Sequence, residues 1–205
     1  MICLTDYGVG NIQAFLNLFK RLGIEAIRAD TPELLSTASR IVLPGVGHFD
    51  HAMKRLNDSG LRPKLDELVL DAQVPVIGIC VGMQMLAEGS DEGSLPGLNW
   101  VTGRVRAFSS HPLSAGLAMP HMGWNDLQPR PDSKLFSKGF EKGAQFYFLH
   151  SFFFEAENKE DGSAKASYGL EFDAVVSKGH IHGVQFHPEK SHHWGEQLMK
   201  NFAEL

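Results

Sequence analysis

Val74-Pro-Val-Ile-Gly-Ile-Cys80-Val-Gly-Met-Gln-Met-Leu-Ala87 is the stretch that decides the fold, because a buried-strand pattern runs directly into a cysteine with glycine two residues before and after it. This G-x-C-x-G context is typical of a nucleophile elbow, a sharp strand-to-helix turn that presents its side chain above the sheet. The first N–H groups of the following helix would favour the thiolate. We therefore predict that Cys80 is a nucleophile rather than a core cysteine.

A thiol nucleophile needs a general base, and Gly183-Val-Gln-Phe-His187-Pro-Glu189 supplies a candidate directly after an apolar run. Residues i and i+2 of an extended segment project to the same side, so the Glu189 carboxylate can reach the His187 imidazole. An imidazole held in this way can take the proton of Cys80 and return it to a leaving amine. The three residues together predict acyl-transfer chemistry, although His187 alone would be interpreted as a structural histidine.

A strand that ends in a glycine-rich turn, Arg40-Ile-Val-Leu-Pro-Gly-Val-Gly47, is expected to complete an oxyanion hole. Glycine allows backbone N–H groups to turn toward a ligand. One donor would be the N–H of Val81, the residue after the nucleophile. The other would come from the turn residues Gly45, Val46 and Gly47.

The hydrophobic pattern predicts an α/β fold with a central mixed, largely parallel sheet flanked by helices. In the first half, strands at 2–5, 25–28, 40–43 and 74–79 alternate with helices, the first of which begins at about Asn11. After Gly97 we predict strands at 100–108, 145–155 and 173–186, the last with a hairpin at Ser177-Lys-Gly-His180. A closing helix from about His193 completes the chain.

Composition restricts the class of protein. With 205 residues and 43% hydrophobic content, the chain suits a single domain, residues 1–205. The net charge of −5 with interspersed signs gives no basic stripe, which argues against nucleic acid or an anionic membrane as a partner. The apolar runs are too short to span a bilayer and no secretion signal is present, so we expect a cytoplasmic protein.

Cysteine and histidine usage argues against disulfides, metals and cofactors. The two cysteines suit a reducing compartment, and Cys3 in the first strand is interpreted as core packing. The ten histidines match no zinc-binding spacing. Gly8-Val-Gly10 lacks the third glycine of a dinucleotide-binding loop, because residue 13 is glutamine. We therefore expect neither a metal nor a cofactor.

Six motifs occur along the chain: Asp6-Tyr-Gly-Val-Gly-Asn11, Pro44-Gly-Val-Gly-His-Phe49, Gly78-Ile-Cys-Val-Gly-Met-Gln84, Pro120-His-Met-Gly-Trp-Asn125, Tyr147-Phe-Leu-His-Ser151 and Gly183-Val-Gln-Phe-His-Pro-Glu-Lys-Ser191. Together they resemble the class I (triad) glutamine amidotransferases, whose Cys-His-Glu triad hydrolyses the side-chain amide of glutamine. The first, fourth and last motifs narrow the resemblance to the glutaminase subunits of imidazole glycerol phosphate synthase. The resemblance covers essentially the whole chain.

The resemblance implies glutamine as the substrate and a set of glutamine-binding positions: Gly47, Gln84, Glu92, His150, Ser151 and Phe152. The family usually has tyrosine after the His-Ser pair, whereas Phe152 lacks that hydroxyl. The resemblance also implies a (β/α)₈-barrel cyclase partner that uses the ammonia to make imidazole glycerol phosphate and AICAR in histidine biosynthesis. The positions that match the family's interface with this partner are Asn11, Met122, Trp124, Tyr147 and Lys190.

Two alternatives stay open at the level of the sequence. Lys190-Ser-His-His-Trp-Gly195 and the form of Cys80-Val-Gly-Met-Gln-Met85 resemble a paralogous branch, whose glutaminase supplies ammonia to a sugar amidotransferase in bacterial surface-sugar synthesis. The chain could also be a catalytically silent regulatory subunit with a glutaminase fold. The presence of Cys80, His187 and Glu189 argues against that second alternative.

Overall fold

Thirteen strands and six α-helices follow one another in the computed structural model, which describes all residues from Met1 to Leu205. The strands are β1 (Ile2–Thr5), β2 (Ala26–Ala29), β3 (Arg40–Gly45), β4 (Val76–Cys80), β5 (Gly89–Ser90), β6 (Gly103–Ala107), β7 (His121–Asp126), β8 (Gln128–Pro129), β9 (Gln145–His150), β10 (Phe152–Ala156), β11 (Gly162–Tyr168), β12 (Leu170–Lys178) and β13 (Ile181–Val184). The α-helices are α1 (Ile12–Arg21), α2 (Pro32–Leu35), α3 (Phe49–Asp58), α4 (Arg62–Asp66), α5 (Val81–Gln84) and α6 (His192–Glu204). None of these helices has both the length and the apolarity needed to cross a membrane.

Eleven strands form one mixed sheet in the order β2-β1-β3-β4-β13-β12-β10-β6-β5, with β11 beside β12 and β8 beside β11. Neighbours from β2 to β13 are parallel, whereas β13, β12, β10 and β6 pair in antiparallel fashion. The predicted α/β fold with a mixed sheet is therefore confirmed. The parallel part of this sheet comprises β2, β1, β3, β4 and β13, and it therefore contains the first four strands of the chain.

The parallel half of the sheet positions the candidate site. Gly45 at the end of β3 is in register with Cys80 at the end of β4, and Val184 at the end of β13 is in register with Ile79. Because the carboxyl ends of parallel strands meet at one edge, the residues after these three strands lie together. The glycine-rich turn, the elbow cysteine and the segment that contains His187 are thereby brought to the same edge.

A second, two-stranded sheet pairs β7 with β9, from His121 opposite His150 to Asp126 opposite Gln145. The prediction of one continuous strand over 145–155 is wrong, because the strand ends at His150 and a new one, β10, begins at Phe152 in the main sheet. At the break, the carbonyl of Ser151 accepts a hydrogen bond from the N–H of Phe108 at 3.1 Å. The break places His150, Ser151 and Phe152 at the corner between the two sheets.

The core is one cluster of 56 buried hydrophobic residues that runs through both halves of the sheet. Helix α1 buries Phe15, Leu18 and Phe19. Helix α6 buries Leu198, Met199 and Phe202, three positions that recur at helical spacing. Full burial of a side chain of this size contributes about 1.5–3 kcal/mol to folding. These two helices therefore attach the first and last segments of the chain to the sheet.

Candidate active site

Cys80 adopts a strained backbone conformation at the junction of β4 and α5. Its φ of +54° and ψ of −112° lie outside the regions that residues with a Cβ normally occupy. Such strain is the conformational signature of a nucleophile elbow. The helix after the cysteine is short, with only four residues in α5. Its first backbone N–H groups are present, but the dipole of a long helix is not.

Three glycines around the elbow allow β3, β4 and α5 to approach one another closely. A Cβ on Gly82 would lie well under 3.0 Å from the carbonyl oxygen of Leu43, and one on Gly78 would clash with the carbonyl of Gly82. A Cβ on Gly45 would in turn meet the backbone nitrogen of Gly82. Backbone packing therefore dictates both glycines of the G-x-C-x-G motif.

His187 and Glu189 form a buried hydrogen-bonded pair. The Nδ1 atom of His187 lies 2.9 Å from Oε1 of Glu189, and both side chains are 4% exposed. The backbone of His187 is extended, but Pro188–Lys190 forms a 3₁₀ turn. The predicted contact is thus present, although a turn rather than continued strand alternation produces it. The N–H of His187 also donates to the carbonyl of Tyr147 at 2.9 Å, which anchors the segment to β9.

The electrostatics of His187 favour its protonated form. Burial lowers its pKa, but the interactions with the Cys80 sulfur and with Glu189, and the negative charges of both groups, outweigh that effect and raise the pKa to about 9. At neutral pH the imidazolium therefore lies between a sulfur and a carboxylate. This arrangement can stabilise a thiolate and deliver a proton to a leaving group.

The glycine-rich turn after β3 is anchored at its start and open at its tip. The hydroxyl of Tyr7 donates to the carbonyl of Pro44 at 2.6 Å. Beyond it, Val46 is 42% exposed, and Gly47 has a φ of +83° with open space where a Cβ would be. Neither the Val46 nor the Gly47 N–H donates to another backbone group. Both N–H groups are therefore available to a ligand above Cys80.

A cavity of about 460 Å³ opens above Cys80, a size that suits a small amino acid. Its wall contains the predicted chemical residues Val46, Gly47, Cys80, Val81 and His187. It also contains the predicted substrate-binding residues Gln84, Glu92, His150, Ser151 and Phe152, together with Lys190. Gly45 and Glu189 are not among the lining residues. Two further lining residues, Pro120 and Leu149, were not predicted from the sequence.

Glu92 lies outside the glycine-rich and elbow motifs, and hydrogen bonds hold it at the cavity. Its carboxylate accepts a hydrogen bond from the N–H of Phe49 at 2.8 Å, at the start of α3. In return, Asp50 in the first turn of α3 accepts from the N–H groups of Ser94 at 2.9 Å and Leu95 at 3.0 Å. These reciprocal bonds fix the loop and give the cavity one carboxylate at a defined position.

Two glutamine side chains connect the cavity wall to the sulfur. The Nε2 group of Gln84 donates to the carbonyl of Phe152 at 3.3 Å and to Oε1 of Gln185 at 3.0 Å. The Nε2 group of Gln185 then lies 3.8 Å from Sγ of Cys80 and donates to it. Gln185, which is fully buried, was not predicted from the sequence as a site residue. The only indication of this role in the sequence is that Gln185 is a polar residue inside the apolar run before His187. A buried polar side chain at such a position must find hydrogen-bond partners.

Four of the five predicted interface residues lie on or beside β7 and β9. Met122 and Trp124 are 63% and 44% exposed, and the Trp124 ring pairs across the sheet with Tyr147 at 6.3 Å. The ammonium of Lys190 lies 5.8 Å above the Tyr147 ring. Asn11 has a separate structural role, because its side chain caps α1 by accepting from the N–H of Ala14 at 3.1 Å.

The remaining histidines and cysteines form no metal centre. No group of three or more His, Cys, Asp or Glu residues is arranged to hold an ion. Buried His182 is instead paired with the hydroxyl of Ser177 at 2.9 Å. Cys3 and Cys80 are both unpaired.

Comparison with solved structures defines the class of fold. A crystal structure of a glutamine amidotransferase superposes on this chain with a TM-score of 0.77 at 20% identity, covering 100% of this chain and 98% of its own. A glutamine amidotransferase from Thermotoga maritima superposes with a TM-score of 0.62 at 18% identity, covering 99% and 80%. The fold is therefore that of the glutamine amidotransferases.

Sequence comparison defines the family. The "Glutamine amidotransferase class-I" family matches residues 3–205. The "Imidazole glycerol phosphate synthase subunit HisH" of Bdellovibrio bacteriovorus is 60% identical over 205 residues, which is 100% of both chains. The protein of the same name from Leptospira borgpetersenii is 44% identical, also over 100% of both chains. The chain belongs to the class-I glutamine amidotransferases, and the predicted resemblance is confirmed.

Proposed function

We propose that this chain is the glutaminase subunit of an imidazole glycerol phosphate synthase. It hydrolyses glutamine to glutamate and ammonia, and it passes the ammonia to a (β/α)₈-barrel cyclase that makes imidazole glycerol phosphate and AICAR. The observation that carries the proposal is the strained Cys80 at the base of a cavity, beside the His187–Glu189 pair. The identity of 60% to a full-length synthase subunit supports the choice of acceptor.

The first chemical step forms a γ-glutamyl thioester. The thiolate of Cys80 attacks the side-chain carbonyl carbon of glutamine, and the N–H groups of Val81 and the glycine-rich turn stabilise the resulting oxyanion. The His187 imidazolium then gives its proton to the departing nitrogen as the C–N bond breaks. Its raised pKa supports this role as a proton donor at neutral pH. Ammonia leaves, and Cys80 remains acylated.

The second step releases glutamate. His187, now neutral, takes a proton from a water molecule whose oxygen attacks the thioester carbonyl. The C–S bond breaks, the sulfur leaves as a thiolate, and the imidazolium is restored beside it. Glu189 contacts neither reactant in this scheme, but its bond to Nδ1 at 2.9 Å keeps the other ring nitrogen directed at the reacting atoms.

The charges of the cavity wall indicate how glutamine would lie. Glu92 is the one carboxylate among the lining residues, so we assign it to the α-ammonium group of the substrate. Both Nε2 hydrogens of Gln84 are engaged with Phe152 and Gln185, which leaves its Oε1 to accept from the substrate. The hydroxyl of Ser151 is a neutral donor for the α-carboxylate. The glutaminase domain in this proposal comprises residues 1–205.

Exposed apolar side chains around the cavity suit a protein partner. Met122, Trp124, Val46 and Leu149 are between 36% and 63% exposed, a concentration of large hydrophobic groups typical of docking surfaces. We assign the barrel cyclase to this face, with Tyr147 and Lys190 beside it and Asn11 as a further contact. Two unpaired cysteines are compatible with the cytoplasm, where this pathway would operate.

The test is glutamine turnover by the chain alone, with the cyclase, and with the cyclase plus its acceptor ligand. We expect low activity for the lone chain, because the Val46 and Gly47 N–H groups of the open turn have no backbone partner that would fix them over Cys80. Each missing oxyanion donor costs on the order of 3 kcal/mol, or roughly a hundredfold in rate. Full activity of the lone chain would contradict this gating. Stimulation only by a surface-sugar amidotransferase would reassign the ammonia acceptor to the paralogous branch.

A further inference from the structure

A row of hydrogen bonds leads from β7 to the cavity wall. The Nδ2 atom of Asn125 lies 3.3 Å from Nε2 of His121, and Nδ1 of His121 lies 2.9 Å from Nε2 of His150. The Nδ1 atom of His150 lies 2.7 Å from the carbonyl oxygen of Phe152. His121 and Asn125 belong to the Pro120–Asn125 motif, and neither lines the cavity. The proposed reaction therefore gives them no direct role.

The partners at the two ends of this row determine where the protons lie. Asn125 Nδ2 also donates to the carbonyl of Ser167 at 2.9 Å, so it must donate to His121 Nε2, and the His121 proton is on Nδ1. The carbonyl of Phe152 only accepts, so the His150 proton is also on Nδ1. The two assignments agree at the contact between the rings. A second proton on His121 would face the Asn125 amide N–H, and a second proton on His150 would face the Nδ1–H of His121.

The low proton affinity of both rings agrees with this pattern. Burial lowers the pKa of His121 to about 4. Burial also lowers the pKa of His150 to about 3, despite the bond that it donates to Phe152. Both rings are neutral at physiological pH, and each donates through one nitrogen and accepts through the other.

The row continues from Phe152 to the sulfur. The same carbonyl of Phe152 accepts from Gln84, which donates to Gln185, which donates to Sγ of Cys80. Every member therefore has a fixed orientation. A reversed amide at Gln185 would direct its oxygen, instead of its N–H, toward the sulfur.

Strand β7 connects this row to the proposed docking face. Side chains alternate along a strand, so exposed Met122 and Trp124 lie on one side and buried His121 lies on the other. On the inner side, the His121 ring stacks on Phe148 at 4.9 Å and on Tyr168 at 4.1 Å. The position of β7 therefore sets the position of the first imidazole.

We infer that His121 is a positioning residue for glutamine hydrolysis, which acts through His150, the Phe152 carbonyl and Gln84 to orient the Gln185 amide that donates to the Cys80 sulfur. The inference rests on the proposed function, and it explains the two polar residues of the Pro120–Asn125 motif. Without the donor at His121, Nε2 of His150 loses the hydrogen bond that holds its ring in place. The bond from His150 to the Phe152 carbonyl then weakens, and the carbonyl to which Gln84 donates is held less firmly in position.

Three variants separate the hydrogen bond from packing. His121→Phe keeps an aromatic ring between Phe148 and Tyr168 but removes the donor. His121→Asn restores an N–H near the position of Nδ1 without the ring. His182→Phe is the matched control, because His182 is equally buried and is paired with Ser177 outside the row. Asn125→Ala, at a partly exposed position, tests the same row if His121→Phe does not fold.

The first readouts use the isolated chain, so they do not depend on the proposed function. Nitrogen-15 NMR should show His121 and His150 in the neutral Nδ1–H form. Alkylation of Cys80 by iodoacetamide should slow roughly tenfold in His121→Phe, the value of one hydrogen bond, and should recover in His121→Asn. Asn125→Ala should slow it to a smaller extent. An Nε2–H form of either ring, or alkylation at the wild-type rate in His121→Phe, would overturn the inference.

The final readout is glutamine hydrolysis by the complex with the cyclase. We expect kcat to fall roughly tenfold in His121→Phe while KM changes by no more than about threefold, because the row ends at the sulfur and reaches the substrate only through Oε1 of Gln84. His121→Asn should recover most of kcat, and His182→Phe should match the wild type. Equal losses in His121→Phe and His121→Asn, or in His182→Phe, would overturn the inference. An inactive wild-type complex would refute the proposed function alone, since alkylation still decides the inference.

Discussion

Cys3 and Cys80 are both buried, at 0% and 5% exposure. Cys3 lies within β1 and Cys80 ends β4, both in the parallel half of the sheet. The sulfur of Cys3 lies 3.6 Å from the carbonyl of Leu34 in α2 and donates to it. Burial raises the pKa of the Cys3 thiol. Cys80 instead faces a cavity, a protonated imidazole and an amide donor. The two thiols should therefore differ sharply in reactivity.

Labelling with a diazo-ketone analogue of glutamine should modify Cys80 and leave Cys3 unmodified. Cys80→Ala should remove glutamine-dependent synthesis by the complex but keep synthesis from added ammonia, because the cyclase reaction does not need the thiol. Peptide mass mapping and the two synthesis assays measure these outcomes. Cys3→Ala is the matched control and should be labelled at the wild-type rate. A label on Cys3 would contradict the assignment of the nucleophile.

The pH profile of glutamine hydrolysis should report the raised pKa of His187, about 9. The imidazolium supplies the proton for ammonia, so kcat/KM should fall as the pH rises through that value. Glu189→Gln removes one of the charges that raise this pKa, and its alkaline limb should move to lower pH. His187→Ala should be more damaging, at roughly a hundredfold or more, because proton transfer itself is lost. If the alkaline limb of the kcat/KM profile fell at the same pH in Glu189→Gln as in the wild type, this division of roles would be contradicted.

At the scale of elements, the sequence predicted the strands whose pattern is local and strong. The apolar runs at β1, β3 and β4 and the hairpin between β12 and β13 appear where expected. Strand β7 was missed, because its apolar residues Met122 and Trp124 face outward and Gly123 interrupts the run. The break at Ser151 was also missed, since only the geometry of two sheets requires it.

The candidate site was predictable where backbone geometry fixes the residue type. The elbow glycines, the His187–Glu189 pair and the glycine-rich turn all carry local patterns. Pro120 and Leu149 lie within quoted motifs, but no local pattern assigns them to the cavity, because they reach it only after β7 and β9 have folded beside the main sheet. Resemblance to a family, rather than a local pattern, pointed to Glu92, whose position depends on a bond to the start of α3.

Substitution of Gly82 by alanine should disrupt the packing of β3, β4 and α5. The added Cβ would lie well under 3.0 Å from the carbonyl of Leu43, so the free energy of unfolding should fall by about 3 kcal/mol or more. Gly60→Ala is the control, with a φ of +76° but open space around its Cβ. It should cost only about 1–2 kcal/mol from backbone strain. Urea unfolding measures both, and equal losses would exclude a steric role for Gly82.

The whole molecule should lose stability as the pH falls below 6.5, because buried histidines resist protonation. Burial, with smaller effects from Lys134 and His180, lowers the pKa of His182 to about 4. Between that value and the pKa of about 6.5 in the unfolded chain, only the unfolded state binds the proton. The loss is up to about 1.4 kcal/mol per pH unit. His187 has the opposite sign, since its contribution is complete below pH 6.5 and is lost as the pH rises through 9.

Urea unfolding of the isolated chain between pH 6.5 and 4.5 measures this linkage. His182→Phe should lose stability less steeply than the wild type, by up to about 1.4 kcal/mol per pH unit, because one of the buried titrating groups is gone. Ser177→Ala keeps the imidazole and removes only its partner, so its slope should stay close to that of the wild type. Parallel curves for His182→Phe and the wild type would show that His182 does not contribute.

Assembly with the proposed cyclase partner should be visible at one of the three tryptophans. Trp100 is 3% exposed and Trp194 stacks on Phe140 at 5.8 Å, whereas Trp124 is 44% exposed and stacks on His192 at 5.5 Å. Burial of Trp124 in the complex should shift its fluorescence to shorter wavelengths, and Trp124→Phe should abolish the shift, while Trp194→Phe retains it. Loss of a central aromatic anchor in Trp124→Ala should weaken the complex by on the order of 2 kcal/mol, or roughly thirtyfold in Kd. Titration with the cyclase measures both quantities, and an unchanged Kd in Trp124→Ala would place the docking surface elsewhere on the molecule.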